Sequence, residues 1–330
     1  MSSGEVLLLG DINIDTVLPV AEFPMPGRDG LAPHISTGIG GAVVNSAFVL
    51  QHLGQRTALL GCVGADVWAE KVKQDVGQTT IKMDYVKSKP QHCTGLTFII
   101  ATPDGERTMF SHRGVNTQLA PQDIDEKAFP GAGMLHISGY ALLESPQKEA
   151  VWRAVELAKQ NQVPVSLDTG LDPVVRNPDE VRRLLPALTL CITGLKEMEI
   201  LFGDIPLSEA VDAMLASGVR LVAIKLGDKG CHVFGEAEKI SYPAFQVNAL
   251  DTTGAGDSFT SGLIYGWLQG MGLLPAAALA SALGALATTV YGAGSALPAK
   301  GKVVDFLRTV QDQSIAGEIE ELLGILEKNT

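Results

Sequence analysis

The segment Asp251-Thr252-Thr253-Gly254-Ala255-Gly256-Asp257 has the residue types for anion chemistry. Gly254 and Gly256 let the backbone approach a ligand closely. A helix opening near Ala255 would aim its free N–H groups at a phosphate. Asp257 then falls in the first helical turn, facing the same anion. A carboxylate there makes chemical sense as the base that takes a proton from an attacking hydroxyl. The plain alternative is an ordinary helix cap with an aspartate in its first turn.

A second candidate is Asp11-Ile12-Asn13-Ile14-Asp15, which alternates polar and apolar residues after an apolar run. In an extended chain Asp11, Asn13 and Asp15 share one face. Carboxylates and an amide aimed into a cleft suit sugar hydroxyls. Metal binding by the two acids, and idle polar residues on an edge strand, are the rivals. The run Gly38-Ile39-Gly40-Gly41-Ala42-Val43 invites a dinucleotide reading. That template needs a glycine or alanine where Val43 stands and a firm strand before it, so it is set aside.

The nonapeptide Asp251–Phe259 resembles the C-terminal signature of the ribokinase-like (PfkB) carbohydrate kinases. A second signature of that family is a Gly-Gly loop that opens a helix, with an asparagine shortly after. Gly40-Gly41-Ala42-Val43-Val44-Asn45 fits it. The order of elements agrees too, so the resemblance covers nearly the whole chain. It implies an ATP-dependent sugar kinase that uses Mg2+. Asp257 would be the base, and Gly254, Ala255 and Gly256 would form the anion hole.

The resemblance also implies sugar contacts from Asn13, Asp15, Gly41, Asn45 and Glu144. Lys225, Gly227 and Gly230 match the family's nucleotide loop. Glu197 matches the glutamate of an Asn-x-x-Glu motif that organises Mg2+ and phosphate through water. Gly194 stands where that asparagine belongs. Asp251, Thr253, Ala287, Val290 and Gly292 match positions whose backbone oxygens hold K+ in some relatives. For Glu144 the plain alternative is a surface acid before a helix, and for residues 227–230 a simple β-turn. Asp168-Thr169-Gly170-Leu171-Asp172-Pro173 departs from the simpler Asp-Pro-Asn of many relatives. Arg176 after it could meet an anionic substrate or be an ordinary surface arginine.

These residues need a scaffold, and the pattern supplies one. Apolar runs at 5–10, 57–63, 163–168, 187–193, 221–226 and 245–249 read as strands. Helical stretches follow at 42–53, 66–76 (Asp66 as N-cap), 147–161, 196–202 and 208–217. Such alternation predicts an α/β fold, a mostly parallel sheet with helices on both faces. Residues 94–102 and 106–112 flank Pro103-Asp104-Gly105 and predict a hairpin. Extended pieces at 12–20 and 32–37 could pair with it. The expectation is one ribokinase-like domain over 1–330, with a small β-sheet lid from about 12–37 and 92–115. The lid would close over the sugar and keep water from the ATP.

Composition narrows the classes further. The net charge of −12 leaves no basic footprint for nucleic acid. From Ser258 to Ala299 no residue is charged, yet glycines and Pro275 interrupt the run. Two buried helices joined at 270–274 explain it better than a membrane span. Cys62, Cys93, Cys191 and Cys231 are far apart and form no metal motif, as expected of reduced cysteines in the cytoplasm. His112 and His136 lack metal-spaced partners. Leu18, Phe98, Met109 and Phe110 give the lid an apolar face that predicts a homodimer through the lids. The same residues could instead face a base, which keeps a nucleoside kinase open. A catalytically silent sugar-binding regulator is the other alternative.

Overall fold

The computed structural model describes residues 4–103, 107–310 and 316–328. Val6–Leu9 (β1) is fully buried, and alternation sorts its side chains between two cores. Val6 and Leu8 pack with one core, Leu7 and Leu9 with the other. That is the behaviour of a strand covered on both faces. Asn13–Pro19 (β2) and Ser36–Gly40 (β3) follow, then Thr57–Val63 (β4), Val86–Ser88 (β5), Gly95–Ala101 (β6) and Arg107–His112 (β7). The remaining strands are Met134–Ser138 (β8), Val165–Asp168 (β9), Leu190–Gly194 (β10), Leu221–Lys225 (β11), Cys231–Gly235 (β12) and Lys239–Tyr242 (β13).

Nine strands form one sheet in the order β13-β12-β11-β10-β9-β8-β1-β4-β5. It is parallel from β5 to β11, and β12 and β13 extend it antiparallel. The helices Ala42–His52, Ala255–Leu268 and Leu273–Ala287 bury one face. The helix Gln147–Gln160 and its neighbours bury the other. The charge-free run is thus two core helices. No helix among the described residues is long and apolar enough to cross a membrane.

The second sheet has the order β3-β2-β6-β7. β2 runs parallel to β6, and β6 and β7 pair as the expected hairpin. The predicted turn reaches into residues 104–106, which lie outside the described residues. Asp66 caps the helix Val67–Val76 as expected, accepting from the Ala69 N–H at 2.8 Å. The same carboxylate accepts from the N–H and hydroxyl of Thr94, both at 2.7 Å. It therefore ties the root of the lid to the large sheet.

Three expectations need correction. The extended piece at 32–37 is displaced: β3 spans Ser36–Gly40, so part of the glycine run lies in a strand. The stretch 245–249 forms no strand. Its apolar signal comes from Phe245, whose ring packs on Tyr242 and Phe306 at 5.8 and 5.4 Å between centroids. Finally, Leu18, Phe98 and Phe110 share the lid face opposite Asp15, because Phe98 pairs with Thr16 and Phe110. They cannot line an acceptor site on the Asp15 side, whereas Met109 can.

Candidate active site

The parallel strands end at one edge, where ligands of open α/β sheets sit. Asp168 closes β9, Gly194 closes β10 and Lys225 closes β11 at that edge. The helix Ala255–Leu268 starts beside them. Its N-cap, Gly254, is left-handed at φ 75°, and a Cβ there would press on Leu297 at 2.9 Å. The first-turn N–H groups of such a helix lack intrahelical acceptors and make an anion site. Asp257 lies in that turn.

The Asp257 carboxylate is held by an amide that is itself anchored. Asn45 Nδ2 donates to its Oδ2 at 2.7 Å, while Asn45 Oδ1 accepts from the Gly294 N–H at 3.1 Å. Burial pushes the Asp257 carboxyl up to about 6; the Asn45 bond opposes this, the Asp168 charge adds to it, and Lys225 and Arg107 counter it. Asp15 is raised to about 7, by burial first and then by the Asp257 charge. Two carboxylates of elevated pKa thus face one cleft, the arrangement expected of an acid–base site.

Across the lid, Gly38, Asp15, Thr97 and Ser111 form one cross-strand row. Ser111 Oγ donates to Thr97 Oγ1 at 3.3 Å, and the Thr97 hydroxyl bonds Asp15. Asn13 starts β2 and its Oδ1 accepts from Asn116 Nδ2 at 2.8 Å. Asp11 lies before the strand, so it does not share this face. It forms a salt bridge with Arg113 Nε at 2.8 Å and accepts from Gln147 Nε2 at 2.8 Å. Arg113 also donates to Glu144 Oε1 at 3.1 Å. Glu144, 58 % exposed, thus stands at the rim rather than beside Asp257.

Gly41 caps the helix Ala42–His52 at φ 102°, and a Cβ would lie 2.3 Å from the Asp11 carbonyl oxygen. Gly41→Ala is therefore expected to cost about 1–3 kcal/mol of stability through backbone strain. Denaturant unfolding measures it, and an unchanged midpoint would contradict the strained reading.

Lys225 donates to both oxygens of Asp168 at 2.8 Å, and Thr260 Oγ1 donates to Asp168 Oδ2 at 2.6 Å. Burial opposes the Lys225 charge, but Asp168 raises its pKa above the usual lysine range. A Cβ on Gly256 would be 3.5 Å from Lys225 Nζ, so the ammonium borders the anion turn. Gly227 and Gly230 lie just beyond, at φ 62° and 92°. Glu197 sits in the first turn of the helix Leu195–Phe202. Its carboxylate folds onto Gly194, where a Cβ would be 2.2 Å from Oε2. The missing asparagine side chain is the space that Glu197 occupies.

Asp251 knots two loops together. Its Oδ1 accepts from the N–H and hydroxyl of Thr253 at 2.8 and 2.6 Å, and Oδ2 from the Gly292 N–H at 2.9 Å. Ala287 ends its helix, with Val290 and Gly292 in the following turn. Among the described residues no group of three or more His, Cys, Asp or Glu could hold a metal ion by itself. His136 is a buried core residue bonded to Ser166 Oγ at 2.9 Å, and burial pulls its pKa down to about 4. His112 Nε2 lies 3.2 Å from Cys93 Sγ. Arg176 ends a short helix, exposed.

Sequence reasoning had no role for Asp168, Arg107 or Arg113. Asp168 could have been found as the acid at a strand's carboxyl end. Arg107 could have been found by alternation, since it lies four pairs along from the Asp15 row and therefore on the same lid face.

A family model described as "pfkB family carbohydrate kinase" matches residues 3–300. The ribokinase of Haemophilus influenzae is 29% identical over 91% of this chain and 97% of its own. An Arabidopsis thaliana protein named "Probable fructokinase-4" is 27% identical over 93% of this chain and 98% of its own. A solved Arabidopsis thaliana ribokinase complexed with ribose and ATP superposes with a TM-score of 0.78 at 24% identity, covering 93% of this chain and all of that one.

Proposed function

The chain belongs to the pfkB family of carbohydrate kinases, phosphotransferases acting on sugar hydroxyls, and on that footing we propose that Asp257 is its general base and ATP its donor. The observation that carries this reading is the Asp257 carboxylate, held by Asn45 in the first turn behind Gly254. Asp257 takes the proton of the acceptor hydroxyl as that oxygen attacks the γ-phosphorus. The N–H groups of Gly254, Ala255 and Gly256 receive charge on the transferring group, with Lys225 beside them. Asn45 contributes by orienting Asp257 as much as by touching sugar.

The acceptor is a neutral pentose or hexose, the class that the names of the two relatives bring forward. Asp15 and Asn13 bind its other hydroxyls, Gly41 leaves it room, and Glu144 reaches from the rim. Gly227 and Gly230 shape the nucleotide loop. Mg2+ fits here, because that ion binds through one or two carboxylates plus phosphates and water. Glu197, with Gly194 leaving it space, would hold it and so offset the charge of ATP. The loop that Asp251 knots to Gly292, with the carbonyls of Thr253, Ala287 and Val290, is the place for K+. The four free cysteines fit a reducing compartment, and we place the enzyme in the cytoplasm.

A screen of ribose, fructose and adenosine with MgATP, read as ADP release and phosphorylated product, tests this function. Phosphorylated sugar in step with ADP supports it. Turnover on adenosine alone would replace the sugar by a nucleoside.

The outer lid face supports a homodimer. Phe98 and Phe110 pair across β6 and β7 and stay 44 % and 56 % exposed. Such a patch usually marks an interface. Phe98→Asp and Phe110→Asp should each split a wild-type dimer and lower activity, as sedimentation and the same assay would show. A monomeric wild type, or a dimer that neither change weakens, contradicts this interface.

A further inference from the structure

Arg107 opens β7 on the lid face that carries Asp15 and Thr97. Its Nη1 crosses the cleft and donates to Thr253 Oγ1 at 3.0 Å. The Thr253 hydroxyl donates onward to Asp251 Oδ1 at 2.6 Å. A line of bonds thus runs from the lid to the residue directly before the Gly254 turn. Among the described residues Arg107 forms no salt bridge, although it is half-buried. That guanidinium donates to a neutral hydroxyl, and its charge acts on Asp15 and Asp257.

We propose that Arg107 is a positioning residue for phosphoryl transfer, which holds Thr253 and the anion turn when the lid is shut and brings positive charge to Asp15 and Asp257. The proposal rests on Asp257 being the base. Asp257 faces Asn45 from the helix Ala42–His52, Asp168 and Lys225 from the strand ends, and Asp15 and Arg107 from the lid. Arg107 is the one lid cation in that group, and its charge favours the ionised form of both acids. Opening the lid would withdraw the charge and the Thr253 bond together. The base would then be fully competent only over a bound, enclosed sugar.

The test is kcat and kcat/KM against pH for Arg107→Gln, Arg107→Lys, Thr253→Val and the two doubles. Arg107→Gln should lower kcat about tenfold, with the ATP KM nearly unchanged. It should move the acid limb of the profile upward by about half to one pH unit, because a carboxylate that loses a nearby cation holds its proton longer. Thr253→Val should lower kcat without moving the limb. On the Arg107→Gln background it should cost less than on wild type, only what the Thr253 bond to Asp251 is worth, since the bond shared with Arg107 is already broken. Arg107→Lys should keep the limb in place and lose the coupling to Thr253; it carries the test if the glutamine variant fails to fold. An unmoved limb in Arg107→Gln, or additive losses with Thr253→Val, overturns the proposal. Asp257→Asn is run beside them: normal turnover there sinks the base assignment, whereas normal turnover in Arg107→Gln alone sinks only the role of Arg107.

Discussion

Asp257→Asn should lower kcat by roughly 100- to 10,000-fold while ATP binding stays close to wild type, the usual scale for losing a general base. Asparagine keeps the shape and can still meet Asn45, so the fold at the helix start is preserved. What it cannot do is accept the hydroxyl proton. Initial-rate kinetics with the acceptor sugar, and a direct ATP binding measurement, separate the two effects. Near-normal turnover would show that another group takes the proton.

The second large effect falls on the acceptor. Asp15→Ala removes a carboxylate that the lid row Ser111–Thr97 points towards. Losing a charged hydrogen-bond partner costs about 1.5–3 kcal/mol, or roughly 10- to 150-fold in sugar kcat/KM. ATP affinity should hardly change. An equal loss for ATP would place Asp15 elsewhere in the reaction. Stability should move the other way. The Asp15 pKa is raised on folding, so the folded state holds its proton longer than the unfolded one. Its contribution to stability therefore falls as pH rises from about 4 to about 7. Asp15→Asn removes that penalty, and the ligand-free protein should melt higher at pH 8 than wild type does. No gain at pH 8 would mean that Asp15 is not the strained acid described here.

Much of this was legible in the chain. Continuous apolar runs such as Val6–Leu9 and Thr57–Val63 announce strands buried on both faces, and Asp66 announces its helix. The Asp251–Phe259 segment announces, through its glycines, the turn and helix start that carry Asp257. What alternation could not reach was pairing over long separations. Lys225 meets Asp168 from two strand ends far apart in sequence, and Asp11 spends itself on Arg113 rather than on the cleft. Composition also misled at 245–249, where an aromatic cluster imitates a strand. The lid was legible as a hairpin, but its two faces were not. Only the register separates Phe98 and Phe110, facing out, from Met109, facing the Asp15 side.

We infer that phosphoryl transfer requires the ionised form of Asp257, a carboxylate of raised pKa. Burial sets that pKa near 6, with Asp15 beside it near 7. The direct measurement is sugar kcat/KM from pH 5 to pH 9 at saturating MgATP. The predicted profile is flat above neutrality and falls steadily as pH drops through these two values, as protons fill the pair. A rate that stays level down to pH 5 would contradict the account, because no base with that environment would then control the reaction.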